Sequence, residues 1–267
     1  MKTASWGNYP KHNFNKKLYS KDDPKANFEV EMLPYGNGRS YGDCCLSDNL
    51  IDLKKFNHFL DFDENEQSLT LQSGVTLEQV IDLILPKGFF PLIVPGTKYI
   101  TIGGAIASDI HGKNHHVEGC FSNCIEWFNL LMPNGKVFKC SKTKNEPLFK
   151  ATRGGMGLTG IILEVKIKLK KVTSSEICQS IYKTKNLKET LEYFEKIKNT
   201  PYSVAWIDCL AKTKNIGRSI FMYGDFLNNQ KFDLKKQRKI KIPFFFPNIT
   251  LNNFSVKLFN FLYYNFN

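Results

Sequence analysis

The sequence has no long apolar run, and it contains fewer acidic than basic residues. Its longest apolar stretches, Phe89–Val94 and Ile242–Pro247, are far shorter than the roughly 18–20 residues that a membrane-spanning helix requires. The first stretch, Met1–Asp23, is polar and has neither an apolar h-region nor a twin-arginine pair. We therefore expect neither a spanning helix nor a secretory signal.

Paired cysteines are also lacking. The seven cysteines are odd in number and irregularly spaced, which argues against the disulfide framework of a small secreted domain. Cys120 and Cys124 are four residues apart, but no second thiol pair is available to complete a zinc site. These features predict reduced thiols and a cytoplasmic protein, either free or peripheral at the membrane.

Acidic residues are outnumbered, because 37 Lys and Arg stand against 25 Asp and Glu, for a formal net charge of +12 and a pI near 9.2. This balance favours anionic partners, namely nucleic acid, a membrane surface or phosphorylated ligands, or else a solvated lysine-rich surface. The sequence contains no RNP, KH, zinc-finger or basic-zipper pattern. We therefore expect no nucleic-acid partner.

The pattern of apolar residues predicts a mixed α and β chain without internal repeats. A polar, loosely ordered lead-in is expected before Asn27. A capping box at Thr76 and Gln79 predicts a helix that extends to about Lys87, and Asn134-Gly135 predicts a hairpin. The segments that resemble strands are Phe28–Leu33, Leu50–Leu53, Ser68–Ser73, Glu126–Met132, Lys136–Cys140 and Ile161–Lys170.

Strict alternation in the last of these strands predicts one apolar face, formed by Ile161, Leu163, Val165, Ile167 and Leu169. The composition changes near Lys171–Ser175, and we place a domain boundary there.

Beyond this boundary the chain has fewer strand signals. Leu187, Leu191, Phe194 and Ile197 have the spacing of an amphipathic helix of about three turns. The other segments of this part are the strands Pro201–Leu210 and Arg218–Phe226, the basic run Lys235–Lys241, Phe244–Phe246 and an aromatic stretch, Leu251–Phe266. We expect the sheet to keep an open edge and the aromatic stretch to form an exposed patch.

Three glycine clusters lie in the first 160 residues: Gly36/Gly38/Gly42, Gly96/Gly103/Gly104 and Gly154/Gly155/Gly157/Gly160. Glycine lets successive backbone N–H groups approach an anion. Three clusters in one domain, with Arg39, Ser40 and Lys98 among them, predict one large phosphorylated ligand. The spacing fits neither a Rossmann fingerprint nor a Walker A loop.

Three histidines occur in the stretch Asp109–His116, which reads Asp-Ile-His-Gly-Lys-Asn-His-His. They allow three interpretations: metal ligands, structural hydrogen-bonding groups, or groups beside a redox cofactor. Gly112 breaks helical spacing, so we expect no metal site. No Ser or Cys lies in a nucleophile-elbow motif, which argues against a hydrolase.

Taken in order, Gly36–Asp43, Pro95–Thr97, Thr101–Ala105, Asp109–His116 and Gly157–Ile162 resemble the FAD-binding domain of the vanillyl-alcohol oxidase / p-cresol methylhydroxylase (PCMH-type) superfamily. The His-Gly-Lys-Asn-His-His string and Tyr202–Trp206 are similar to the decaprenylphosphoryl-β-D-ribose 2′-oxidases. The resemblance covers roughly residues 30 to 267.

The resemblance implies an α+β fold with three parts: a polar lead-in (1–26), a PCMH-type FAD-binding domain of two α/β subdomains (27–172) and a partial substrate-binding domain with an antiparallel sheet (173–267). Arg39 stands where many relatives attach FAD covalently to a histidine, which implies non-covalent FAD. His111, Lys113 and Tyr41 are the implied catalytic residues. The implied cofactor-binding residues are Gly36, Asn37, Gly38, Arg39, Ser40, Tyr41, Gly42, Gly96, Thr101, Ile102, Gly103, Gly104, Ser108, Asp109, Ile110, His111 and Ile162.

The resemblance further implies oxidation of a sugar hydroxyl by hydride transfer to FAD. The expected substrate is a phosphorylated sugar-lipid, a polyprenyl-phosphoryl ribose, or another sugar. Membrane-surface contact and a short-chain reductase that completes an epimerisation are the other expected partners. An aldonolactone or alditol oxidase is the alternative, as is a non-catalytic FAD-binding fragment that needs a partner chain. The family continues well beyond Asn267, so we expect a fragment, or a second polypeptide that supplies the rest.

Overall fold

The computed structural model describes residues 2–18, 31–233, 247 and 250–266. The chain divides into two compact units, Met1–Val172 and Thr173–Asn267. None of the helices in the described ranges has the length and apolar character needed to cross a bilayer. Helices and strands are both abundant, which confirms the predicted α+β class.

In its described residues, the first unit has eleven strands and four α-helices. The strands are β1 (Lys2–Ala4), β2 (Lys11–Asn13), β3 (Asn15–Leu18), β4 (Leu33–Tyr35), β5 (Asn49–Asp52), β6 (Phe59–Asp63), β7 (Ser68–Gln72), β8 (Phe89–Pro91), β9 (Ile125–Leu131), β10 (Val137–Ser141) and β11 (Ile161–Lys171). The helices are α1 (Leu77–Ile84), α2 (Ile102–Ala107), α3 (His115–Glu118) and α4 (Glu146–Thr152).

The N-terminal strands form two small sheets. β1 pairs antiparallel with β2, while β3 and β4 flank β5 in parallel. The prediction of a loosely ordered lead-in is therefore wrong for residues 2–18, because β3 is paired into the sheet that precedes the first glycine cluster. The predicted strand Phe28–Leu33 lies mostly outside the described residues, and the strand in the structure is Leu33–Tyr35.

A larger antiparallel sheet has the strand order β10-β9-β11-β7-β6, with β8 paired to the end of β11. The predicted hairpin is present as β9 and β10, which confirms the turn assigned to Asn134-Gly135. The predicted capping box is also present, because the Thr76 hydroxyl accepts from the Gln79 N–H and the Gln79 side chain accepts from the Thr76 N–H. Leu77, Val80 and Ile84 of α1 are buried in the core beside this sheet.

The predicted single apolar face of β11 is wrong at its start. The register with β9 shifts between Ile162 and Val165, so the alternation changes phase. Ile162, Val165, Ile167 and Leu169 therefore join the main core, whereas Ile161 packs in a separate small cluster with Ile51, Leu53 and Leu131.

The second unit is a three-stranded antiparallel sheet of order β12-β14-β13 with two helices. Its elements are β12 (Ile177–Thr184), α5 (Leu187–Lys196), β13 (Tyr202–Ile207), β14 (Ser219–Phe226) and α6 (Asn253–Phe266). The basic run Lys235–Lys241 and Phe244–Phe246 lie outside the described residues.

The amphipathic helix α5 does not bury the face that its spacing predicts. Leu187 and Leu191 are exposed, and Thr190 is the buried residue of the helix. The Thr190 hydroxyl lies 2.6 Å from that of Thr184 and 3.2 Å from that of Ser219. A buried polar cluster therefore decides which side of α5 faces the sheet.

Candidate functional site

The first glycine cluster forms a turn directly after β4. Gly38 and Gly42 have φ angles of +60° and +61°, which favour glycine. The backbone N–H groups of Asn37, Gly38 and Arg39 donate no hydrogen bond to another described residue. Successive amides of this kind are available to bind an anion.

The second cluster lies against the first. A Cβ on Gly36 would lie 2.4 Å from the Thr101 Oγ1 atom, so the absence of a side chain allows the two segments to touch. The Asn37 side-chain amide donates to the Tyr99 carbonyl at 3.0 Å. Thr101 also caps α2, because its hydroxyl accepts from the Gly104 N–H at 3.3 Å.

The third cluster closes around the other end of α2. The Gly154 N–H donates to the Ile106 carbonyl at 3.0 Å, and the Met156 N–H donates to the Ala107 carbonyl at 2.8 Å. A Cβ on Gly157 would lie 3.4 Å from Pro34 Cδ, in the strand that leads into the first turn. Three segments far apart in the sequence therefore meet around one short helix.

The loop Asp109–His116 is fixed to the segment that precedes Gly96. The Lys113 N–H donates to the Val94 carbonyl at 2.8 Å. A Cβ on Gly112 would lie 1.9 Å from the same carbonyl oxygen, so this close approach requires glycine. His111 and Lys113 have exposed side chains, and the His111 and His115 rings are 5.5 Å apart.

Asn114 holds this loop, and the sequence analysis gave it no role. Its side chain is 1% exposed, donates to the Leu92 carbonyl at 2.7 Å and accepts from the Val94 N–H at 3.1 Å. In the sequence, Asn114 is an amide residue between Lys113 and His115, and this pattern does not predict burial. The burial follows from hydrogen bonds to residues about twenty positions earlier in the chain.

Two predicted site residues, Asp109 and Ser108, also make hydrogen bonds that stabilise the fold. The Asp109 carboxylate accepts from the Ser122 N–H at 2.7 Å, and Asp109 has a φ of +38°. Ser108 ends α2 and donates its N–H to the Gly104 carbonyl. Burial raises the pKa of the neighbouring Cys124 thiol well above its usual range, with a smaller contribution from the Asp109 charge.

Other predicted site residues divide between the hydrophobic core and the exposed first turn. The side chains of Ile102 and Ile162 are in the main core, and Ile110 packs against it, so only their backbones remain for a ligand. Tyr41 is 79% exposed in the first turn. The Arg39 guanidinium lies 5.1 Å from the centre of the Trp6 ring, so the N-terminal hairpin supports the side chain at this position.

The described residues contain no group of three or more His, Cys, Asp or Glu side chains placed to hold a metal ion. Within the histidine stretch, the rings of His111 and His115 are neighbours, and His115 Nδ1 lies 3.9 Å from the Cys120 Sγ atom. The expectation of no metal site stays a prediction.

Residues 25–141 match the family described as FAD binding domain. This part of the chain is similar to an FAD-binding domain. The match contains the first two glycine clusters and the loop Asp109–His116. It confirms the family resemblance and the cofactor that the sequence predicts.

The geometry of the FAD-binding domain fits such a cofactor. The free amides of the first turn can bind a pyrophosphate, and a Cβ on Gly42 or Gly96 would meet no atom within 4 Å, so there is open space beside both. The buried Ser73 hydroxyl has no partner among the described residues and lies beside Gly103. Backbone amides and glycines, rather than charged side chains, would hold the phosphates here.

The FAD-binding domain and the residues after it resemble sugar and lactone oxidases. The decaprenylphosphoryl-β-D-ribose oxidase of Mycolicibacterium smegmatis is 33% identical over 238 residues, or 84% of this chain and 52% of that protein. The D-arabinono-1,4-lactone oxidase of Candida glabrata is 26% identical over 59% of this chain and 31% of its own length. The L-gulonolactone oxidase of Mus musculus is 27% identical over 54% of this chain and 32% of its own length. The chain thus spans about half the length of the first relative and about a third of the others.

Proposed function

We propose that this protein is an FAD-dependent oxidoreductase that oxidises a sugar hydroxyl, and that its substrate is a polyprenyl-phosphoryl ribose whose 2′-hydroxyl becomes a ketone. The observation that carries this proposal is the extent of the similarity to the mycobacterial oxidase. The first unit ends at Val172, so an alignment over 84% of the chain must extend into the second unit. The lactone oxidases match only 59% and 54% of the chain.

Bound FAD would supply the hydride acceptor for this oxidation. The residues proposed to act on the substrate are His111 and Lys113, whose exposed side chains project from a loop fixed to Val94. A neutral imidazole can take up the proton of the reacting hydroxyl, and an ammonium group can bind a sugar or phosphate oxygen. Tyr41, exposed in the first turn, is the third proposed residue.

A polyprenyl chain keeps such a substrate in a membrane. We therefore propose that the protein works at the cytoplasmic surface of a membrane, and its net charge of +12 supports attraction to anionic lipid. The ketone product would need a reductase of the short-chain type if the two steps together invert the hydroxyl.

A lactone or alditol oxidase is the second candidate, because the lactone oxidases match more than half of the chain. A non-catalytic FAD-binding chain that needs a partner polypeptide is the third.

The test is a flavin spectrum followed by anaerobic titration. We expect the purified chain to retain flavin absorbance after desalting and to release it into the supernatant on acid precipitation, since Arg39 offers no covalent attachment. A short-chain prenyl-phosphoryl ribose should then bleach the flavin, whereas L-gulono-1,4-lactone should not. Bleaching by the lactone alone would support the second candidate, and bound flavin that no substrate bleaches would support the third.

A further inference from the structure

Helix α6 presents an apolar face to solvent. Phe254, Leu258, Leu262 and Phe266 recur along one side of the helix and are exposed by 77%, 48%, 45% and 83%. Phe261, at the margin of this side, is also exposed. We call these five residues the outer face of α6. A continuous stripe of this kind on a soluble surface marks an interaction site.

A buried polar network fixes this orientation. Asn260 is the buried residue of α6, and its amide donates to the Asp208 Oδ1 atom at 2.6 Å. The Arg218 guanidinium donates to Asp208 Oδ2 through Nε at 2.9 Å and Nη2 at 2.8 Å. Rotating the helix to bury its phenylalanines would remove the Asn260 hydrogen bond from the buried Asp208 carboxylate. The polar side of α6 therefore faces the sheet, and the apolar side faces outward.

A second contact holds the other end of the helix. The Tyr264 hydroxyl donates to the Thr184 carbonyl at 3.1 Å, and the Lys183 ammonium donates to the Asn265 carbonyl at 3.1 Å. The Trp206 and Tyr263 rings are 5.0 Å apart on the same inward side. The outer face is thus a rigid surface and is not needed to attach α6 to its own unit.

The second unit is basic by composition. Helix α6 contains Lys257 and no acidic residue, and the second unit has fifteen Lys and Arg against seven Asp and Glu. Helix α5 is a useful contrast, because its exposed Leu187 and Leu191 are interspersed with three glutamates and two lysines, a net charge of about −1. An anionic surface would attract α6 more strongly than α5.

We propose that α6 is an interfacial helix that seats this protein on an anionic membrane, with its outer face among the headgroups and upper acyl chains. Phenylalanine and leucine supply the buried apolar area, and Lys257 with the net positive charge of the second unit supplies the attraction to lipid phosphate. This proposal rests on the proposed function in one respect, namely that the substrate is linked to a lipid. Membrane seating would then bring the enzyme to the leaflet that holds its substrate.

The test is flotation of the full 267-residue chain with vesicles. We expect it to bind phosphatidylcholine vesicles that contain about 30% phosphatidylglycerol and to bind pure phosphatidylcholine much less. Binding should weaken as salt is raised, since surface charges are screened. Leu258→Ser with Leu262→Ser should reduce the partition coefficient by about tenfold or more, because two leucines no longer enter the lipid.

The matched control is Leu187→Ser with Leu191→Ser, which alters an equally spaced and similarly exposed leucine pair on α5. This variant should float as the unaltered protein does. Equal loss in both variants, or no vesicle binding by the unaltered chain, would overturn the proposal. If light scattering shows that the unaltered chain is a dimer and the α6 variant a monomer, the face belongs to a second copy and the proposal is wrong. Flavin content, measured on the same samples, reports separately on the proposed function.

Discussion

The side chain of Asn114 accepts a hydrogen bond from the Val94 backbone N–H at 3.1 Å, and this contact joins the histidine-rich loop to the strand-like segment before Gly96. The Lys113 N–H returns a bond to the Val94 carbonyl at 2.8 Å. These two hydrogen bonds to Val94 therefore position His111 and Lys113 relative to the second glycine cluster.

Replacement of Asn114 by Leu should therefore weaken both the fold and the cofactor site. The change leaves the Leu92 carbonyl and the Val94 N–H buried without a partner, which costs about 1–3 kcal/mol for each group. Thermal unfolding should show the lower stability, and flavin fluorescence after desalting should show reduced retention. Asn123→Leu is the control, since Asn123 is exposed and its side-chain amide donates to the Glu118 carbonyl. Full stability of Asn114→Leu would contradict the assigned role.

Gly96 gives the cleanest steric test of the cofactor position. A Cβ there meets no protein atom within 4 Å and its φ is not positive, so Gly96→Val should leave the melting temperature nearly unchanged. It should lower FAD affinity by at least roughly tenfold, or about 1.4 kcal/mol. Gly7→Val, which also meets no atom within 4 Å, is the control. The substitution Gly38→Val is less informative, because a Cβ would lie 2.3 Å from the Tyr35 hydroxyl and strain the fold directly. Unchanged FAD binding by Gly96→Val would show that the cofactor lies elsewhere.

Asp208 should make the second unit sensitive to acid. Burial alone would raise the pKa of Asp208, but hydrogen bonds from Arg218, the Leu210 N–H and Asn260 outweigh it and hold the pKa below its usual range. A lowered folded-state pKa contributes stability that is present above the unfolded pKa of about 3.9 and is lost as the pH falls through the folded value.

We expect Asp208→Asn to lower the unfolding free energy by about 3 kcal/mol at pH 7, since Arg218 loses its buried partner. The difference from the unaltered protein should shrink toward pH 3 in urea unfolding monitored by circular dichroism. Asp225→Asn, at an exposed position, should change little at either pH. A difference that does not depend on pH would show that the Asp208 charge contributes nothing.

The cysteines should differ strongly in reactivity. Burial raises the pKa values of the Cys124 and Cys140 thiols, and both side chains are inaccessible, whereas Cys178 and Cys209 are exposed. Brief iodoacetamide treatment of the native protein should therefore label Cys178 and Cys209 and spare Cys124 and Cys140, as peptide mass spectrometry would show. Labelling of Cys124 at the rate seen for Cys178 would mean that the core around Asp109 is open.

The sequence by itself determined the features that depend on short-range physics. The capping box at Thr76, the hairpin at Asn134-Gly135 and the positive φ of Gly38 and Gly42 follow from residues a few positions apart. The first glycine cluster indicates a phosphate ligand, because the backbone amides of Asn37, Gly38 and Arg39 donate to no other described residue. The family resemblance and the cofactor could also be predicted from the sequence, because they rest on short motifs of neighbouring residues.

Only the tertiary structure decided how these pieces combine. The meeting of three glycine clusters around α2, the bulge that changes the phase of β11, the clamp made by Asn114 and the outward face of α6 all depend on partners that are distant in sequence. In α5 the apolar spacing points to the wrong side, because a buried hydroxyl cluster must keep its hydrogen bonds. Periodicity records which residues are apolar, whereas the cost of an unmet buried polar group decides which of them face inward.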